Sequence, residues 1–163
     1  MLRLSREIYM EMIGHCLGGL PDEACGLLVG SYGGEEADQI FPTKNAAASA
    51  LIYEIDPKEM LAVDRQAQAS GSDIMGVFHS HTHTDAYPSP TDVAQAQDPG
   101  WHYVLVSLRD THPVVRSYAI VDGVITEEPV VVPGLGEEPG DEGPGDGGQA
   151  LGEPRVGEPG HSR

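Results

Sequence analysis

The chain has 163 residues, of which 39% are hydrophobic, and this is enough apolar material for one domain that needs no disulfide to hold its core. Its net charge of -17 at pH 7 disfavours binding to nucleic acid or to anionic lipid. Because the sequence has only two cysteines and no apolar run of export or membrane-spanning length, we expect a soluble, cytoplasmic protein.

The first predicted element is a helix over residues 5–20. Apolar residues recur there at helical spacing, and the pair Gly18-Gly19 closes the pattern. The apolar run Ala24–Gly30 is too short for a helix and predicts a buried strand. Glu23 therefore stands at the entrance of this strand.

The middle of the chain is predicted to contain two strands, a helix and a third strand. The strands are expected at residues 39–41 and 51–55, the second because its apolar residues alternate. Asp56 is a suitable N-cap before Pro57, so a second helix should run from there through Gln68. The strand that follows, over residues 73–78, leads directly into His79-Ser80-His81.

After a loop over residues 82–88, a short third helix is predicted from Ser89 toward Gln97. Three late strands are expected at residues 103–107, 114–120 and 124–132, the last two joined by a hairpin at Asp122-Gly123. The elements together predict a mixed α/β fold, with a mainly antiparallel sheet flanked by about three helices.

The last part of the chain differs in composition from the rest. Of the 31 residues 133–163, 15 are Gly or Pro and seven are acidic. Such a segment has too few apolar residues to form a core, so we predict that it is a disordered acidic tail. Residues 1–132 would then form the folded domain.

Two histidines at the end of a predicted strand indicate a metal site. Because side chains alternate along a strand, His79 and His81 share one face while Ser80 points to the other. A catalytic zinc ion takes three protein ligands and leaves a fourth position open. Asp92, in the first turn of the third helix, is the candidate third ligand at that strand end.

Each part of this pattern also has a simpler explanation. The spacing of Ser89 and Asp92 is that of an ordinary capping box, and an isolated His-x-His pair is common at polar strand ends. The complete pattern of two histidines, serine and aspartate at these spacings is expected by chance in roughly one chain per thousand of this composition. His83 is a rival third ligand, and Cys25 is either a neighbour of the metal or a small buried hydrophobic residue.

A zinc hydrolase also needs a group that takes a proton from water and returns it to the leaving amine. Glu23 is the candidate, since partial burial at the edge of an apolar strand would raise its pKa toward neutrality. From spacing alone, a plain loop carboxylate is an equally good interpretation of this residue. The Ser89 hydroxyl can donate to a developing oxyanion, or it can serve only as the N-cap.

These residues resemble the signature of the JAMM (MPN+) metalloproteases. The resemblance covers residues 1–132 and implies a JAMM-type fold, one zinc ion bound by His79, His81 and Asp92, an acid–base role for Glu23 and an oxyanion role for Ser89. The acidic tail departs from the family pattern, and His83 is not one of its motif residues.

A narrower branch of that family is also similar to this chain. Its members release cysteine from the C-terminal Gly-Gly of a ubiquitin-like sulfur carrier protein, for cysteine biosynthesis. The resemblance thus implies a carrier as partner. A homodimer is a further possible assembly, and the sequence does not fix the oligomeric state. Two alternatives stay open, a peptidase for another Gly-Gly carrier and a scaffold without catalysis. The matching stretches are residues 21–26, 79–82, 86–89, 91–93, 102–107, 116–118, 120–123 and 126–130.

Overall fold

The computed structural model describes residues 1–96 and 98–135, and this part of the chain contains three helices and eight strands. In chain order they are β1 (Leu2–Arg3), α1 (Arg6–Gly18), β2 (Cys25–Gly30), β3 (Ala37–Thr43), α2 (Pro57–Ala69), β4 (Asp73–His81), α3 (Pro90–Gln95), β5 (His102–Ser107), β6 (Val114–Val121), β7 (Val124–Glu128) and β8 (Val130–Val131).

Six of the strands form one mixed sheet in the order β3-β2-β4-β5-β6-β7. Only β4 and β5 pair in parallel, so the predicted, mainly antiparallel sheet is confirmed. Helix α1 packs on one face with Met12 and Cys16, and α2 packs on the other with Val63 and Ala67. The central strand β4 is buried along residues 74–81 because both faces are covered.

The structure confirms the three predicted helices and moves their ends by one or two residues. Helix α2 begins after Asp56, whose side chain accepts a hydrogen bond from Lys58 N at 2.8 Å. Strand β4 runs on to His81, whereas the sequence predicted that its regular part ends at residue 78. Both histidines therefore belong to the strand itself and not to the start of a loop.

The predicted strand at residues 51–55 is wrong. The segment has a bend at Leu51 and no regular structure over residues 52–54, and only Ile55 makes an isolated bridge, to Asn45. The Asn45 amide organises this region in place of a ladder. Its Oδ1 accepts hydrogen bonds from Ala47 N and Glu54 N, while its Nδ2 donates to the carbonyls of Glu23, Ser49 and Ile52.

The last predicted strand, over residues 124–132, is divided at Pro129, which has no N–H to donate to a ladder. Strand β7 continues the main sheet, and β8 pairs in parallel with β1 in a separate two-stranded sheet. Strand β1 was not predicted, since two residues are too few to show a period.

The predicted disordered tail lies almost entirely outside the described residues, which include only its first three, residues 133–135. These form a turn and a bend. The proposed boundary after residue 132 stays a prediction. Within the described residues, no helix combines the length and the apolar character needed to cross a bilayer.

A buried ion pair connects β5 to β7. His102 Nδ1 bonds Glu128 Oε1, and His102 Nε2 donates to the Gly34 carbonyl at 2.8 Å, so both ring nitrogens carry hydrogen. Burial opposes the charge, but these bonds outweigh it and raise the pKa of His102. Burial also opposes the charge on Glu128, yet His102 and Ser117 together lower the pKa of Glu128 to about 2.

We expect Glu128→Gln to lower the free energy of unfolding by about 2–4 kcal/mol near pH 6, because it leaves a buried imidazolium without its counter-charge. In the unsubstituted protein, the contribution of His102 should be lost as pH rises through its raised pKa. That of Glu128 should be lost as pH falls from 4.5 toward about 2. Urea unfolding across this pH range measures both effects.

The neighbouring Glu127, whose side chain is 53% exposed and pairs with Arg116 at the surface, supplies the matched control. Glu127→Gln should change stability by less than about 1 kcal/mol. Equal effects of the two substitutions would contradict the assignment of the buried pair.

Candidate metal centre

The end of β4 carries two imidazoles on one face of the sheet. His79 and His81 are 3% and 5% exposed, and their Nε2 atoms lie 3.2 Å apart. In the register of the sheet His79 lies between Cys25 on β2 and Leu105 on β5. Both neighbours are fully buried, so the imidazoles project from a packed support that restricts their orientation.

Asp92 completes a cluster with these two histidines. Pro90 occupies the first turn of α3, where the fixed φ of proline suits a helix start. This places the Asp92 carboxylate at the strand end, with Oδ1 3.3 Å from His79 Nε2 and Oδ2 3.3 Å from His81 Nε2. We call His79, His81 and Asp92 the His-His-Asp cluster.

The spacing of the His-His-Asp cluster fits a tetrahedral metal ion. Four ligands at zinc distances of about 2.0–2.1 Å are separated from one another by about 3.4 Å. The closest ligand-atom pairs of the cluster measure 3.2 and 3.3 Å. Two imidazoles and one carboxylate form the donor set of a catalytic zinc site. The residues present therefore fit zinc, with one position left open.

The three side chains of the cluster shift one another's pKa values. Burial would lower the pKa of His81, but its hydrogen bonds to Asp92 and to the Asp85 carbonyl raise it, so a metal ion that binds here must displace a proton. Burial lowers the pKa of His79, which favours a neutral ring with a free lone pair. His81 Nδ1 lies 2.8 Å from the Asp85 carbonyl, which can only accept, so this nitrogen carries hydrogen and Nε2 can face a metal. Burial alone would raise the pKa of Asp92, but hydrogen bonds from both histidines lower it well below its usual value.

Tyr53 supports the cluster, and the sequence analysis did not identify this role. Its ring stacks on His79 with centroids 4.2 Å apart and planes inclined by 21°. Tyr53 is 9% exposed and belongs to the same apolar core as Cys25 and Leu105. The predicted alternation grouped Tyr53 with Leu51 and Ile55, but the segment is not a strand and Leu51 is exposed.

Glu23 lies beside the His-His-Asp cluster because β2 and β4 are antiparallel. The pairing of Cys25 with His79 continues through Ala24 and Ser80, so Glu23 comes opposite His81. Ser80 makes this junction, since its Oγ accepts from Ala24 N at 2.8 Å and its own N–H donates to Ala24 O at 2.9 Å.

Glu23 is 6% exposed. Burial raises the pKa of its carboxyl to about 7, with the charge of His81 opposing this rise and that of Asp92 adding to it. A carboxyl with this pKa can both accept and donate a proton near neutral pH.

Ser89 is the N-cap of α3. Its Oγ accepts from Asp92 N at 3.2 Å, and its own N–H donates to Asp92 Oδ2 at 2.7 Å, which is the reciprocal capping box that the sequence predicted. Among the described residues, the Ser89 hydroxyl donates to no acceptor. Its proton is thus available to a ligand at the cluster.

The two other candidates lie outside the His-His-Asp cluster. His83 is exposed, and its Nδ1 bonds Thr82 Oγ1 at 2.7 Å after the strand has ended. Cys25 is fully buried, and its Sγ lies 3.4 Å from Thr43 Oγ1. Its geometry is that of a small core residue next to His79, and burial raises the pKa of its thiol.

Comparison with known proteins gives matches over most of the chain. The sequence profile of a family described as prokaryotic homologs of the JAB domain matches residues 5–121. The chain is 44% identical over 132 residues to the CysO-cysteine peptidase of Mycobacterium tuberculosis, which covers 80% of this chain and 90% of that protein.

More distant proteins match as well. A protein of Thermus thermophilus named as a probable TtuB-protein conjugate cleaving protease is 30% identical over 97 residues, covering 59% of this chain and 64% of its own length. The crystal structure of a JAB1/MPN domain protein from Archaeoglobus fulgidus superimposes with a TM-score of 0.53 at 21% identity, over 80% of this chain and 99% of that one. This likeness confirms the predicted fold class.

Proposed function

The chain belongs to the family of prokaryotic JAB-domain proteins, and on that basis we propose that it is a zinc-dependent peptidase with a ubiquitin-like sulfur carrier protein as substrate. The bond hydrolysed would join the carrier's C-terminal Gly-Gly to an attached cysteine, and the cysteine released would serve biosynthesis in the cytoplasm. The 44% identity to a CysO-cysteine peptidase supports this choice of substrate.

The observation that carries the proposal is the convergence of four side chains from three parts of the chain. The His-His-Asp cluster supplies a ligand set with zinc spacing, and Glu23 lies beside it, buried and with its pKa near 7. A structural role alone would not require two imidazoles and two carboxylates to share a buried site, because desolvation of such groups is costly.

In the proposed reaction the three zinc ligands, Glu23 and Ser89 have separate tasks. Bound zinc would supply Lewis acidity, which polarises a carbonyl group and lowers the pKa of water. The Glu23 carboxylate would accept a proton from the attacking water and return it to the cysteine amine as the C–N bond breaks. The Ser89 hydroxyl would donate to the negative charge that develops on the carbonyl oxygen.

A Gly-Gly terminus suits this site on steric grounds. The ligands and Glu23 are all less than a tenth exposed, so a substrate backbone must come close to packed side chains. Glycine has no Cβ and allows this approach, whereas a side chain at these positions would add bulk next to the packed residues.

Mass spectrometry tests the proposal directly. A carrier that ends in Gly-Gly-Cys, incubated with the zinc-loaded protein, should lose the mass of a single cysteine residue. The same carrier treated with protein stripped of zinc should keep its mass. An unchanged mass with fully zinc-loaded, folded protein would refute the proposed substrate.

A second candidate is the cleavage of conjugates between a carrier and another protein. The name of the Thermus thermophilus relative favours this possibility. A competition experiment separates the two candidates. It offers the protein, in one reaction, the Gly-Gly-Cys carrier and a carrier joined through its terminal glycine to a lysine side chain.

A further inference from the structure

A polar cavity of about 370 Å³ lies on the Nδ1 side of His81, although none of the three cluster residues lines it. Two of its lining residues fix this position. The Asp85 carbonyl is the partner of His81 Nδ1 at 2.8 Å, and Ser107 lies beside His81 in the register of β4 and β5. The cavity is also lined by two arginines, Arg109 and Arg116.

Arg116 lies on the same face of the sheet as the metal ligands. His79 on β4 pairs with Leu105 on β5, and Leu105 pairs with Arg116 on β6. Residues directly opposite each other project to one face, and two strand spacings amount to about 10 Å. A long side chain at this position can therefore reach a substrate residue that lies next to the metal.

The guanidinium of Arg116 retains free donors. Only its Nη1 contacts Glu127, at 3.3 Å from each carboxylate oxygen, and the side chain is 50% exposed. Arg116 also interacts with the Tyr118 hydroxyl, where its hydrogen bond opposes the rise that burial causes in the pKa of Tyr118. Arginine recognises a planar carboxylate through two parallel N–H groups, and the five N–H groups of Arg116 exceed the number that Glu127 and Tyr118 engage.

Arg109 plays a different part in the cavity. It contacts the Asp85 carboxylate and, through Nη2, Asp110 at 3.0 Å. These two aspartates would repel a bound anion, but Arg109 lies between them and offsets part of their charge. Both aspartate side chains are more than half exposed, at 70% and 59%, so solvent weakens their repulsion further.

We propose that Arg116, with Arg109 beside it, binds the α-carboxylate of the residue released by the peptidase. This inference rests on the proposed function. A cysteine joined to Gly-Gly by its amine ends in a free carboxylate, which lies about one residue length, or about 3.5 Å, beyond the scissile nitrogen. The cavity lies on the Nδ1 side of His81, and a residue that extends past the scissile nitrogen in this direction would bring its carboxylate toward Arg116.

Recognition of this carboxylate by Arg116 would give the protein the specificity of a carboxypeptidase. A substrate whose chain continues past the scissile bond, or that is joined to a lysine side chain inside a protein, has no carboxylate at this point. Such a substrate would leave the Arg116 donors unpaired and would gain none of their interaction. Arg116 is thus a specificity-determining residue that acts after the zinc ligands have positioned the bond.

The test compares two substrates that differ in one group. A carrier ending in Gly-Gly-Cys is prepared with a free C-terminal acid and with a C-terminal amide, and kcat/KM is measured for both. We expect the acid to be cleaved about 10- to 100-fold more efficiently, the range for hydrogen bonds to a charged group. Arg116→Gln should remove this preference by raising KM for the acid, with the amide unaffected.

Matched variants complete the experiment. Arg65→Gln changes an exposed arginine on α2 and should keep the full preference, and Arg116→Lys should restore only part of it. Binding is measured separately by calorimetry with Glu23→Gln, which should still bind the acid more tightly than the amide. This binding measurement is informative even if neither substrate is cleaved. Absence of cleavage would refute the proposed function but not the role of Arg116 in binding.

The proposal would be overturned if the protein with both arginines intact cleaved and bound the acid and the amide substrates equally well. A preference for the acid that survives in the Arg109→Gln, Arg116→Gln double variant would also overturn it. Thermal unfolding of each variant confirms that the comparison is made on folded protein.

Discussion

Glu23→Gln is expected to lower kcat by about 10²- to 10⁴-fold on the Gly-Gly-Cys substrate while the zinc content of the protein stays the same. The amide has almost the shape of the carboxylate but cannot take up and return a proton. Because Glu23 lies opposite His81 and is not part of the His-His-Asp cluster, its replacement should not disturb the ligands. Single-turnover kinetics and elemental analysis of the same sample measure the two quantities.

The control for this substitution is Glu11→Gln, which changes an exposed glutamate on α1. It should leave both kcat and zinc content as they are. Activity of Glu23→Gln within a few-fold of the unsubstituted protein would exclude Glu23 as the proton carrier. Loss of zinc together with activity would instead give Glu23 a structural role in the site.

His79→Ala is expected to abolish zinc binding and, with it, hydrolysis. Zinc content should fall from about one ion per chain to near zero after dialysis, since a site with three protein ligands loses one of them. Addition of zinc should raise the melting temperature of the unsubstituted protein, because a ligand that binds only the folded state stabilises it. The variant should show no such rise.

His83→Ala is the matched control, because His83 is exposed and lies outside the His-His-Asp cluster. It should bind zinc as the unsubstituted protein does. The reverse result, with zinc retained in His79→Ala and lost in His83→Ala, would contradict the ligand assignment. Since His79 packs on Tyr53, His79→Gln serves as a second variant that fills more of the space and tests whether lost packing explains the effect.

Sequence reasoning reached the parts of the site that depend on local periodicity. Alternation along β4 places His79 and His81 on one face whatever the rest of the fold does. The capping pattern of Ser89 and Asp92 is equally local, and the structure contains both hydrogen bonds that it predicts. The start of α2 after Asp56 and the end of α1 at the pair Gly18-Gly19 were predicted for the same reason.

What sequence reasoning missed depends on contacts between distant segments. The alternation at residues 51–55 is typical of a strand, but the Asn45 amide donates three hydrogen bonds and accepts two, and these hold the region in another conformation. The stacking of Tyr53 on His79 and the alignment of Arg116 with His79 both require knowledge of which strands are neighbours. A single sequence carries no direct signal for either.

The Asn45 amide has a consequence for how the centre is kept in shape. Its Nδ2 donates to the carbonyl of Glu23 and to the carbonyl of Ile52, the residue before Tyr53. The proposed general base Glu23 and the aromatic ring of Tyr53 behind one candidate ligand thus share a common anchor, although they are 30 positions apart in the chain. Substitution of Asn45 would therefore reduce activity as a change in the active site does, without altering any group that contacts the substrate.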